Sequence, residues 1–128
     1  MIGNDSLVTV LVNFLPSVMK LVQTMHLSFL IYLITCKRCT KQYIGKTTTS
    51  LYTRFNNTRS DTKIYTTERG KSLPIAHHFN LPDHTINDAQ LMAIEKIHNH
   101  REQTILYRES FWINKLRTRT PNGINVDS

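Results

Sequence analysis

Two tyrosines, an arginine, a glutamate and a cysteine pair are the residues of this chain whose chemistry reaches beyond packing. Tyr32, in Ile31-Tyr32, and Tyr43, in Tyr43-Ile44-Gly45, lie eleven positions apart, each where a β-strand is expected. Arg54 and Glu109 follow in helical segments, and Asn125 comes in Pro121-Asn122-Gly123-Ile124-Asn125. A guanidinium is a planar, permanently charged donor fork that matches a phosphate. A carboxylate holds a hard divalent ion such as Mg²⁺ or Mn²⁺ through oxygen. Phenols hydrogen-bond water or phosphate, and one could serve as a base if a metal and the arginine lower its pKa from about 10. An amide such as that of Asn125 closes or orients a site. Together these groups suit phosphodiester hydrolysis, which needs an activated water, a cation on the non-bridging oxygens and charge relief for the leaving alkoxide. Taken singly, each has a plainer reading. Strand tyrosines are usually half-buried packing, and helix charges are usually the solvated side of an amphipathic face.

The second set is Cys36-Lys37-Arg38-Cys39, with Ala76-His77-His78-Phe79 and His84 downstream. Two cysteines make no disulfide framework, and a Cys-x2-Cys loop near nitrogen donors is more often a metal clip. Thiolates and imidazoles in a Cys2His2 set select zinc in a closed structural site. A redox pair would normally stand at a helix start, whereas this one sits inside an expected hairpin. Free thiols also suit a reducing compartment, nuclear or cytoplasmic.

The elements that must carry these residues are legible as patterns. Leu27 to Thr35 is almost continuously apolar and rich in β-formers, which predicts a central strand buried on both faces. Lys41 to Lys46 resumes the pattern after a polar break, so the two segments predict a hairpin with a longer loop. Hydroxyls at 47 to 50 cap a helix in which Leu51, Tyr52 and Phe55 recur at helical spacing, ending near Asp61. Thr62 to Lys71 reads as a loop, Leu73 to Asn80 as a short helix admitting Pro74 in its first turn, and Ala89 to Ile97 as a third strand. Glu102 to Arg117 is the most amphipathic helix, and the Pro-Gly tail from Thr120 is expected to fold back. The order predicts an α+β domain with a small antiparallel three-stranded sheet flanked by helices.

At 128 residues there is room for one modest core. Residues 1–30 hold one acid and one base, Asp5 and Lys20, so the net charge of +7 falls on the remainder. Such an excess suits a polyanionic partner, since each neutralised phosphate releases condensed counterions. The apolar stretch from Leu7 is broken by Asn13, Pro16, Lys20, Gln23 and His26, so no membrane span is expected, and Met1 to Ser6 lacks the basic start of a secretory signal. Residues 1–27 are read as an extension, either an amphipathic helix or poorly ordered, and 28–126 as the domain.

In their order and spacing these elements resemble the GIY-YIG endonucleases. Ile31-Tyr32 and Tyr43-Ile44-Gly45 are similar to the two tyrosine motifs, the run from Lys46 to Arg54 to the segment leading into the helix arginine, Arg108-Glu109-Ser110-Phe111-Trp112-Ile113 to the segment with the metal-binding glutamate, and the Pro121–Asn125 segment to the closing asparagine. The Cys-x2-Cys hairpin and the Ala-x-His-Phe segment look most like the endonuclease domain of Penelope-like retroelements. The resemblance implies a metal-dependent DNA-nicking enzyme with Tyr32, Tyr43, Arg54, Glu109 and Asn125 in its site. It implies Mg²⁺ or Mn²⁺ on Glu109 and zinc on Cys36, Cys39, His78 and His84, with His77 as the competing ligand. DNA is the implied partner, with no membrane and no small-molecule substrate. Two positions depart from the pattern. Leu30 replaces the first motif's glycine, and Thr58 stands where related domains carry a histidine four residues past the arginine. A hydroxyl takes no proton at neutral pH as imidazole does. A runner-up reading is therefore a DNA-binding or zinc-stabilised module that no longer cuts.

Overall fold

The computed structural model describes residues 24–65 and 73–126. The expectation for residues 1–27 lies outside the described residues up to position 23, and most of the expected polar loop lies outside them at 66–72. Three strands, β1 (Leu30–Cys36), β2 (Gln42–Thr47) and β3 (Ala89–Lys96), form an antiparallel sheet in the order β2-β1-β3. The helices are α1 (Leu51–Lys63), α2 (Pro74–His78) and α3 (Glu102–Leu116). No helix among the described residues is long and apolar enough to cross a membrane.

β1 is central because both its faces are apolar. Leu30, Tyr32, Ile34 and Cys36 point to one side, packing with Leu51, Phe55 and Phe79 from α1 and the α2 end. Ile31 and Leu33 point to the other, packing with Ile44, Ile94 and Ile105 against α3. Alternation along a strand thus splits one apolar run between two half-cores. Leu30, standing for the motif glycine, is 1% exposed and belongs to the first of them. The register of β1 on β3 shifts between Ile31 and Tyr32, a bulge of the kind that re-aims a neighbouring side chain.

Helix ends follow local chemistry. Ser50 caps α1 by accepting the amide of Thr53 at 3.1 Å, as the hydroxyl run predicted. Pro74 occupies the first turn of α2. α3 stops at Leu116 because Arg117 adopts the left-handed conformation (φ 54°, ψ 52°), its N–H bonding the carbonyl of Ile113. One turn was not anticipated: Thr85 and Asp88 form a reciprocal capping box on a 3₁₀ turn, Ile86–Asp88, leading into β3. The tail folds back as expected, Ile124 N–H donating to the carbonyl of Gln42 at 2.8 Å along the outer edge of β2.

Candidate active site and metal centre

Register brings the tyrosines together. Tyr32 pairs with Gly45 and Tyr43 with Ile34, which puts both phenols on the α1 side of the sheet, ring centroids 6.4 Å apart. Gly45 has a steric reason to be glycine. A Cβ there would meet the Tyr32 ring at 2.4 Å and its hydroxyl at 2.5 Å, so the phenol lies across the bare backbone of β2.

Arg54, one turn into α1, lines a cavity of about 140 Å³ together with Tyr32, Tyr43, Thr58 and Asp61, closed by the first turn of α2. Positions 54, 58 and 61 recur at helical spacing, so one stripe of α1 faces the phenols. The Arg54 Nε is buried and has no hydrogen-bond partner. A buried N–H left unpaired is costly, and a guanidinium N–H is satisfied best by an anionic oxygen. Thr58 reaches the same cavity, but its hydroxyl donates back to the carbonyl of Arg54 at 3.1 Å.

Glu109 is not a wall of that cavity. It stands on α3, on the opposite layer, 3.8 Å from Lys46. Its charge nonetheless acts on both phenols. Burial, helped by Tyr43 and Glu109 and opposed by Arg54, pushes the Tyr32 phenol well above its ordinary range. Burial and Glu109, opposed by Arg54, raise Tyr43 as well. In this state both phenols are donors, so a base role requires a cation to reverse the shift. Burial also raises the Glu109 carboxyl, against the pull of Lys46 and Arg54.

Asn125 is buried and does not enter the cavity; its amide is spent on the backbone. Ile44 N–H donates to its Oδ1 at 2.8 Å, its Nδ2 donates to the carbonyl of Ile44 at 3.0 Å, and the Thr118 hydroxyl donates to Oδ1 at 2.6 Å. It stands in for a neighbouring strand at the residue between Tyr43 and Gly45. Lys46, Asp61 and Thr118 were missed by the sequence reading. Alternation on β2 could have placed Lys46 beside α3, and the stripe through 54 and 58 could have found Asp61.

The cysteines and histidines converge at the other end of the hairpin. Thr40 N–H donates to the carbonyl of Cys36 at 2.8 Å and Cys36 N–H to that of Lys41 at 2.9 Å, a knuckle that presents both sulfurs inward. The ligand atoms of Cys36, Cys39, His78 and His84 all lie within 4.8 Å of one another, with Cys39 Sγ 3.4 Å from His78 Nε2. Tetrahedral zinc spaces such donors about 3.3–3.8 Å apart, so only a small contraction is needed. His84 Nδ1 bonds the carbonyl of Pro82 at 3.0 Å, while its Nε2 is buried without a hydrogen-bond partner. Burial and the His84 charge push His78 down to about 4, keeping its imidazole neutral as a ligand must be. Burial alone would raise the Cys39 thiol, but the nearby His84 imidazole and the Lys41 backbone outweigh it and hold it below its ordinary value. His77 is outside the cluster; it is exposed and hydrogen-bonds the Tyr65 hydroxyl at 2.7 Å. The donor set fits a metal ion.

Residues 28–125 match the family model described as the GIY-YIG catalytic domain. Among solved structures, the catalytic domain of the homing endonuclease I-TevI is similar with a TM-score of 0.61 and 24% identity, over 79% of this chain and 100% of that one. A glutamate-to-alanine variant of the catalytic domain of the intron endonuclease I-TevI gives 0.57 and 23%, over 74% and 89%. No curated protein sequence matches.

Proposed function

The chain belongs to the GIY-YIG catalytic domain family, and from that premise we propose that it is a DNA endonuclease that nicks the phosphodiester backbone with Mg²⁺ or Mn²⁺. The observation that carries this reading is the cavity where two phenols meet an arginine whose buried Nε lacks an acceptor. That N–H is satisfied by a phosphate oxygen of the scissile group, which the fork of Arg54 holds and whose growing charge it offsets. Tyr32 and Tyr43, kept protonated by burial, donate hydrogen bonds to the phosphate or to the attacking water. Glu109 is the residue that would hold the divalent ion, an oxygen donor whose half-buried charge a cation relieves. When bound, such an ion neutralises the phosphate and favours a hydroxide nucleophile. Asn125 and Gly45 keep β2 and the Tyr32 ring in place.

In this reading Cys36, Cys39, His78 and His84 would hold a structural zinc, tying the hairpin to the α2 end. The cysteine-histidine cluster also supports descent from a Penelope-like retroelement, and the free thiols support a reducing compartment, nuclear or cytoplasmic. The domain is assigned to 28–126, with 1–27 as an extension.

A second reading, a DNA-binding module that no longer cuts, is favoured by Thr58, whose hydroxyl is turned back onto its own helix. Plasmid nicking with Mg²⁺ or Mn²⁺ separates the two. Metal-dependent nicks that vanish in Glu109→Ala establish the enzyme. Salt-sensitive DNA binding without nicks establishes the module.

A further inference from the structure

The C-terminal end of α3 builds a second feature that the chemistry above does not use. Where Arg117 leaves the helix in the left-handed conformation, the chain turns back through the segment at 121–123. A groove of about 410 Å³ lies between this turn and the hairpin loop, lined by Lys41, Gln42, Leu116, Arg117 and Asn122. Another, of about 540 Å³, lies on the other side of Arg117, with Ile113 and Arg119 in its wall. Lys41, Arg117 and Arg119 are all exposed. No carboxylate lines either groove among the described residues, so the charge there is of one sign.

Both grooves border elements that carry site residues, the start of β2 and the end of α3. Lys41 immediately precedes β2, two residues before Tyr43. Arg117, the residue that ends α3, follows Glu109 by eight positions, about 12 Å along the helix axis at 1.5 Å per residue. At 3.4 Å per phosphate on one strand, that is about three to four nucleotides.

We infer that the grooves flanking Arg117 carry the phosphate backbone of the DNA away from the cleavage site, with Lys41 and Arg117 as the contacting charges. This rests on the reading that DNA is the substrate, and it names where the strand runs beyond the scissile bond. Pro121 and Leu116 supply apolar walls suited to deoxyribose. Contacts of this kind fix register and orientation and carry no sequence information.

The test is a salt series on binding of an about 30-base-pair duplex, without added divalent ion. Each duplex phosphate neutralised contributes about 0.9 to the slope of log affinity against log salt. Lys41→Gln with Arg117→Gln should therefore flatten the slope by about 1.8, so that between 50 and 200 mM salt the wild type loses about 12-fold more affinity than the double variant. Lys63→Gln with Arg101→Gln, removing two exposed charges elsewhere, should leave the slope unchanged. If Lys41→Gln disturbs the neighbouring cysteine loop, Arg117→Gln alone should flatten the slope by about 0.9, each fold being checked by its melting temperature. A slope that ignores the groove charges, or falls equally in the control pair, overturns the proposal. Nicking with a groove-independent slope sinks the groove alone; a groove-dependent slope without nicking sinks the cutting reaction and keeps the groove.

Discussion

The two ends of the β1–β2 hairpin each bury one side-chain nitrogen without a partner, and the two lack opposite things. At the knuckle it is His84 Nε2, among sulfurs and a neutral imidazole. In the cavity it is Arg54 Nε, beside two phenols, the Thr58 hydroxyl and the Asp61 carboxylate, none of which it bonds. An imidazole nitrogen in a nest of metal-ligating atoms calls for a cation; a guanidinium N–H left without an acceptor calls for an anionic oxygen. In the function proposed above, the first demand would be met by an ion that becomes part of the fold, the second by a substrate that comes and goes. Loss at the knuckle should therefore be read in stability, and loss at the cavity in rate.

The knuckle side predicts the largest effect. Cys39→Ser, or removal of zinc by a chelator, should cost more than about 4 kcal/mol, the range that accompanies loss of a structural metal. Chemical denaturation checks it, and chelator should bring the wild type to the level of the variant. A wild type indifferent to chelator would break the comparison at this end.

At the cavity, Arg54→Ala should lower the nicking rate by about 10²–10³-fold, the usual cost of one preorganised donor to a developing negative charge. Its melting temperature should not fall, because the unpaired buried N–H goes with it. A variant that loses stability and rate together would assign Arg54 to the core instead.

Between the two lies Gly45→Ala. The added methyl enters the space of the Tyr32 ring, and such overpacking costs about 1–3 kcal/mol. Rate and stability should both fall, since the phenol must leave the cavity. A pseudo-wild-type enzyme would show that Tyr32 is free to move.

The smallest effect is in pH. Ion binding needs Glu109 ionised, and burial raises its pKa in the folded protein. Activity should therefore fall on acidification at a higher pH than an ordinary carboxylate would give, and be full above it. Rates measured from pH 4 to 8 at several Mg²⁺ levels check the sign, because more ion should move the limb toward acid.

Much of this was legible before any fold was known. The alternation of β1, the hydroxyl cap of α1 and the ordered recurrence of Tyr32, Tyr43 and Arg54 are local signals; the strand and the cap form as expected, and the three side chains line one cavity. What stayed hidden depends on which parts of the chain meet. His77 and His78 are adjacent, and only the pose of a one-turn helix tells which faces the sulfurs. Gly45 looks like any strand glycine until the register sets Tyr32 opposite it. Asn125 reads as a site amide because its value as a mimic of a neighbouring strand appears only once the tail lies beside Ile44. Glu109 reached the neighbourhood of the phenols from the opposite layer, a route no periodicity predicts.

The tail's position beside β2 has a practical side. Ile124 and Asn125 occupy hydrogen-bonding positions that an added strand would otherwise take. A shortened chain ending at Leu116 would bare the N–H of Ile44 and the carbonyl of Gln42, a template for the same edge of another copy. Such a truncation should show itself as self-association and poor yield before any loss of chemistry. A targeting module fused to this domain is best joined after Val126, so that the linker begins only once that edge is sealed.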